Sequence, residues 1–244
     1  MWAVLIAPKL LIVFAALQCR ADAATTSDLF HRGSDEYAAG NYQSAAELFR
    51  AASSPPAAGT LYNLGDAEWR CDRPGPAILA WEQAQWLNPF NRNAAANLRY
   101  ARRVRQLDAP ELAWYEICST WLPVNWWAWL ACASLWLAVA LVMLPGILGW
   151  RKNGWQQGLA AASFAVFLLT IPTFAGVHTR SKLGIILPKN APLRLTPTAD
   201  AQELTRLAEG EAVRLERTRG AYIFVRTGNA AGWIERSQFG LISQ

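Results

Sequence analysis

The sequence predicts a multidomain chain that joins three unlike parts: α-helical hairpins, two transmembrane helices and a small all-β barrel. Three observations predict it. A pattern of Gly, Ala and large apolar residues recurs after 32 residues in the first half. Two stretches without a charged residue, Trp126 to Leu148 and Gly158 to Val177, follow it. From Leu187 onward the apolar pattern changes to period two, broken by turns.

The first 23 residues, MWAVLIAPKLLIVFAALQCRADA, read as a secretory signal peptide. Lys9 supplies a thin positive region, Leu10 to Leu17 the apolar core, and Ala21-Asp22-Ala23 an A-x-A cleavage site. That apolar core is too short for a span; an uncleaved anchor is the alternative. Either way the next segment is exported. Cys19 does not fit a lipidation site, because Ala16-Leu17-Gln18 puts no small residue just before it. Cys19, Cys71, Cys118 and Cys132 show no CxxC and no regular spacing, so neither a disulfide framework nor a zinc site is expected. The net charge of +5 is spread along the chain, and only Arg99 to Arg105 is locally basic. A nucleic-acid partner needs clustered Lys and Arg on one domain, and none is expected here.

Residues 26–108 form the repeat region. Leu29, Gly33, Gly40, Tyr42, Ala45, Phe49 and Ala52 fall in order in the first unit. The second reads Leu61, Leu64, Gly65, Ala77, Trp81, Ala84 and Pro89. Gly33 and Gly65 are 32 residues apart, as are Ala45 and Ala77. A small residue where two antiparallel helices cross lets their backbones approach. The large residue four places after the Ala, Phe49 or Trp81, then fills the space between hairpins. Pro89 stops a helix because its ring cannot continue the hydrogen-bond ladder. This pattern resembles the tetratricopeptide repeat. It departs from it at RCDRPGPA, where Asp72 stands in place of the turn glycine and Pro74 and Pro76 open the next helix. A third unit starts at NAAANLRYARRV but no partner helix follows cleanly. About two and a half repeats make a marginal stack, which is expected to lean on the membrane, an oligomer or a ligand. The resemblance implies a concave groove lined by Ser34 and Tyr37, by Tyr62, Asp66 and Trp69, and by Tyr100 and Arg103. These side chains either anchor a peptide there or, for Tyr62 and Trp69, cover the core.

The first span is expected over 121–148 and the second over 158–177, joined by a cytoplasmic loop at 149–157. Each stretch is long enough to cross roughly 30 Å of hydrocarbon at about 1.5 Å per residue. Trp121, Trp126, Trp127 and Trp129 crowd one end, where interface-seeking indoles belong. Arg151 and Lys152 mark the loop as cytoplasmic, and Arg180 and Lys182 weaken that asymmetry. The leader decides: both folded modules lie on the extracytoplasmic side. Two buried helices of a soluble domain are the alternative. Glu116, close to the first span, is either an intramembrane carboxylate or a residue at headgroup level.

Residues 184–244 read as about five short strands in a small closed barrel. Gly210 marks one turn and Gly228-Asn229 a hairpin, with Leu193, Leu207, Val213, Leu215, Val225 and Ile234 in the core. LAEGEAVRL and GAYIFVRTGNAAGWI resemble the Leu-x-x-Gly-x-x-Val and aromatic-x-x-Val…Gly-Trp-Ile steps of bacterial SH3-like domains. That resemblance implies binding of peptides or cell-wall stems through Tyr222 and Trp233; the alternative for Trp233 is a core plug.

His31 and His178 have no neighbouring Cys, Ser-Asp pair or ligand-spaced carboxylate, and no phosphate-cradling glycine loop follows a strand. No catalytic set, cofactor or metal site is expected. The order of leader, repeats, two spans and barrel is similar to the BatE-type members of the bacterial aerotolerance (Bat) operon proteins. The resemblance implies a non-enzymatic scaffold of the bacterial inner membrane. Its implied associates are von Willebrand A-type membrane proteins and a MoxR-type ATPase, in envelope stress or assembly. The rival readings are a cell-wall sensor or anchor working through the barrel, and a wall hydrolase.

Overall fold

The computed structural model describes residues 25–147 and 154–243. The leader at 1–23, the last residue of the first expected span (148) and residues 149–153 of the expected loop lie outside them. Five helices form the repeat region: α1 (25–38), α2 (Tyr42–Ala51), α3 (Ala58–Arg70), α4 (Pro74–Leu87) and α5 (Arg92–Arg105). They pack as antiparallel hairpins whose crossings follow the repeat. A Cβ placed on Gly33 would lie 2.9 Å from the Phe49 ring, and one on Gly65 2.5 Å from Trp81. Glycine is needed there for close approach rather than for backbone freedom. The turns obey the same register. Gly40 has φ of +85°, and Asp72, its counterpart one repeat on, adopts +54°. Asp tolerates that left-handed conformation better than most side-chain-bearing residues. Pro74 begins α4 and the helix ends at Leu87, one residue short of Asn88-Pro89.

After α5 the chain runs without regular structure to the short α6 (Trp114–Ser119), then enters α7 (Val124–Ile147) and α8 (Gly154–Arg180). α7 and α8 pair side by side, and both are long and apolar enough to cross a membrane. Their surfaces are largely uncovered by protein. α8 starts at Gly154, so the last residues of the expected loop are helical.

Seven antiparallel strands follow, rather than about five. They are β1 (Leu183–Ile186), β2 (Ala191–Arg194), β3 (Glu203–Leu207), β4 (Ala212–Arg219), β5 (Tyr222–Arg226), β6 (Ala231–Glu235) and β7 (Phe239–Leu241). They form one sheet in the order β3-β2-β6-β5-β4-β1-β7, with β3 and β7 at its edges rather than paired to each other, so the ladder is not closed as the expected barrel would be; the barrel module is this sheet and its core. Leu193, Leu207, Val213, Val225 and Ile234 are buried as expected, and Leu215 is half-buried. β1 escaped the period-two search because it is buried on both faces, and a strand of that kind does not alternate. Ile186 points into the barrel core. Leu183 and Ile185 point the other way, into one continuous core with Ile78, Trp81 and Leu98 of the repeats.

The barrel therefore packs against the repeat helices through α4. The fit is close. A Cβ on Gly75 would stand 2.5 Å from the Leu187 carbonyl oxygen, and one on Gly240 2.2 Å from Leu79. The Gly75 amide at the start of α4 donates to Glu209 Oε1 at 3.0 Å, and Gln83 Nε2 donates to the Leu241 carbonyl at 2.9 Å. The short stack thus leans on the barrel, a support not among the membrane, oligomer and ligand that the sequence offered.

Glu116 lies outside both apolar helices, on α6. It is buried on α6, where Arg214 of β4 grips it with two hydrogen bonds of 2.7 and 3.2 Å. Its other duty is to accept from the Ala113 amide at 2.9 Å, capping its own helix. Arg180 at the end of α8 donates to Ser119 Oγ at 3.1 Å and lies 5.0 Å from the Trp86 ring centre. These contacts gather the repeats, α6 and the barrel at one end of the α7–α8 hairpin.

Candidate functional site

The residues expected to line a groove lie on α1, α3 and α5. Asp66 is their chemical centre. Its Oδ1 accepts from Trp81 Nε1 at 3.0 Å and from Asn97 Nδ2 at 2.7 Å, and Tyr62 also hydrogen-bonds to the carboxylate. Burial pushes the Asp66 carboxyl above the usual carboxylate range, and the three donors only partly offset that push. Burial and the neighbouring Asp66 charge push the Tyr62 phenol up as well. A half-buried carboxylate with its charge spread over three fixed donors is a rigid, polarised floor.

Around this floor the expected groove residues take different places. Ser34 and Tyr37 line a cavity of about 180 Å³ with Phe49, Asn63 and Asp66. The Ser34 hydroxyl itself donates to the Phe30 carbonyl at 3.0 Å, within its own helix. Trp69 bridges the core and the surface. Its ring sits 5.8 Å from Trp81 in the core and 6.0 Å from Tyr100 on the surface, with the Arg105 guanidinium 5.7 Å away. Tyr100 and Arg103 are exposed on α5. Tyr62, Asp66, Trp69 and Tyr100 therefore make one connected strip, with Tyr37 and Ser34 beyond the cavity.

Asn63 and Asn97 were not expected. The repeat register carried their signal: each directly precedes a repeat leucine, Leu64 or Leu98. Trp81, expected only as a spacer between hairpins, also orients Asp66 through its indole N–H.

Tyr222 and Trp233 belong to a second surface. On β6, Gly232 and Ile234 face the barrel core, so Trp233 faces outward, and its ring meets Phe224 edge-on at 5.3 Å. The core-plug alternative for Trp233 does not hold. Arg194, opposite Trp233 in the ladder, is the residue that sequence reasoning missed. Its Nη1 lies 3.4 Å from the Tyr222 hydroxyl and 3.7 Å from a Glu235 carboxylate oxygen, while its Nε is buried without a partner. No described hydrogen bond or ring contact joins this cluster to the repeat groove.

Cys71, Cys118 and Cys132 are free thiols, and Cys19 lies outside the described residues. Among the described residues no three of His, Cys, Asp and Glu come together as a metal-binding group. No family model, curated protein or solved structure matches this chain.

Proposed function

We propose that the chain is a non-enzymatic scaffold of the bacterial inner membrane, of the BatE type, with both modules extracytoplasmic. α7 and α8 cross the bilayer in opposite senses. The repeat groove takes an extended or helical segment of a protein partner, with von Willebrand A-type membrane proteins as the candidates. The observation that carries this reading is the aromatic strip Tyr62–Trp69–Tyr100 around the Asp66 carboxylate, with Tyr100 exposed at its end. Its flat rings supply area at low entropic cost, and the polar floor fixes orientation. The packing of both modules at one end of the α7–α8 hairpin supports a common compartment, and the leader supports the outer one. Because the modules share a core, the groove and the barrel face act as a fixed pair of contacts, so two weak sites reinforce one another.

A photo-crosslinking residue at Tyr100 tests the groove in living cells. The expected product contains an A-domain membrane protein and disappears in the Tyr37→Ala/Arg103→Glu double variant. Equal recovery from that variant refutes the groove as the docking surface. A second reading, a cell-wall anchor, is favoured by the Arg194–Tyr222–Trp233 face. Co-sedimentation of the solubilised chain with sacculi, lost in Trp233→Ala but kept in the groove variant, would move the principal contact to the barrel.

A further inference from the structure

The helix α6 has one and a half turns and two unlike sides. Inward it presents Glu116 and Ser119, each 1% exposed and held by Arg214 and Arg180. Outward it presents Trp114 and Ile117, 67% and 48% exposed, and Trp121 in the following turn is 63% exposed. The inner side is fixed rigidly. A Cβ on Gly176 of α8 would stand 2.3 Å from the Tyr115 carbonyl oxygen, so α6 rests directly on the backbone of α8. The Trp127 indole donates to the Ser119 carbonyl at 3.4 Å from the other apolar helix. The Glu116–Arg214 ion pair, the Arg180–Ser119 hydrogen bond and the glycine contact hold α6 with its indoles outward.

We infer that α6 is a membrane-surface wedge whose Trp114, Ile117 and Trp121 side chains enter the headgroup region of the outer leaflet. The inference rests on the reading of α7 and α8 as spans. The lipid is chosen over a protein partner because the apolar face is continuous with theirs. α7 begins at Val124 and carries Trp126 and Trp129 outward, so four exposed or part-exposed indoles follow one another into the apolar helix. Trp favours this depth because its ring is apolar and its N–H is polar. The exposed Lys182 just beyond α8 stands at the same end, where a lipid phosphate can meet its ammonium. An interfacial helix of this type buries its apolar side about 5–10 Å below the headgroup boundary. The consequence is a height standard. Through Glu116–Arg214, α6 sets how far the barrel, and with it the repeat groove, stands above the lipid.

The test uses the full chain in nanodiscs, with its native cysteines replaced and one cysteine introduced for an environment-sensitive fluorophore. Ile117→Cys reports on α6, with Trp114→Cys as a second site. Leu137→Cys reports on the middle of α7, and Thr218→Cys on the barrel tip. Lipids spin-labelled near the headgroup should quench the α6 labels more than lipids labelled deep in the chain, with a blue-shifted emission. The Leu137 label should show the reverse order. If the Leu137 label is quenched and both α6 labels behave like Thr218, the wedge is refuted while the spans stand. If no label is quenched, the spans fall and the wedge falls with them.

Discussion

Replacing Glu116 with alanine should loosen the barrel from the membrane-proximal helices, and the size of the effect follows from its surroundings. Removing one partner of a buried ion pair costs about 3–5 kcal/mol, mainly through the charge left behind. Here that charge is Arg214, whose side chain keeps 30% of its surface exposed. Water takes up part of it, leaving about 2–3 kcal/mol. Loss of the cap on the Ala113 amide adds about 0.5–1 kcal/mol. At about 2–4 °C per kcal/mol for a chain of this size, the melting temperature should fall by about 5–15 °C. Circular dichroism of the detergent-solubilised protein reads this directly. A double-mutant cycle with Arg214→Ala separates the pair from the cap and should give a coupling of about 2 kcal/mol. The pH dependence supplies a second check. Burial alone would raise the Glu116 carboxyl, but hydrogen bonds from Arg214, Thr179 and the Ala113 amide, with the Arg214 charge, hold it below the ordinary carboxylate range. A depressed value means that the clamp is complete above the unfolded pKa of about 4.3 and is lost as pH falls through the lower folded value. A coupling below about 0.5 kcal/mol, or an Ala variant that melts like wild type, refutes the clamp.

Three further outcomes are expected. Gly75→Ala drives a methyl against the Leu187 and Ile186 carbonyls, neither of which can rotate away, so the β1–β2 connection should become sensitive to limited proteolysis while the barrel stays folded; unchanged cleavage would count against the shared core. Gly65→Ala forces Trp81 from its bond to Asp66 and should cost about 1–3 kcal/mol by overpacking, whereas Gly59→Ala, which meets no atom within 4 Å on an exposed turn of α3, should be neutral or slightly stabilising; equal melting temperatures would refute the crossing geometry. Carboxyl-carbon NMR should place the Asp66 midpoint above about 3.9, because burial outweighs its donors; with the folded value raised, stability falls as pH climbs from the unfolded value to the folded one, and a midpoint at or below the ordinary value would contradict the buried floor.

The repeat was legible in the sequence because its cause is local. Gly33 and Gly65 mark crossings where only a hydrogen fits, and Phe49 and Trp81 mark what presses on them. The apolar helices were legible by length and composition alone. The outer-facing position of Trp233 was legible only in part, since alternation says which residues share a face and not which face is inside. β1 was hidden for a physical reason. Leu183-Gly184-Ile185-Ile186 follows the apolar run of α8 after the short polar stretch His178 to Lys182, and burial on both faces erases the period that identifies a strand. The clamp on Glu116 was not legible because its partner, Arg214, lies 98 residues away in sequence. A charged residue beside a span points to lipid until the guanidinium that pairs with it is placed.

What the sequence left unexplained was how so short a stack of hairpins holds together. A repeat array needs a cap where its last hydrophobic face would otherwise meet water. In this chain one face of α4 is covered by β1, β7 and the turn after it, through Leu183, Ile185, Gly240 and Ile242 against Ile78 and Leu79. The barrel thus does for α4 what another helix pair does in a longer array. That assignment has a consequence for binding. A barrel hung on a flexible linker would let its aromatic face sample many distances from the groove, whereas one that completes the core of the repeats holds a single distance. On the proposed docking role, a partner engaging both surfaces would have to carry its two contacts at that spacing, and selectivity would come from geometry that neither module supplies alone.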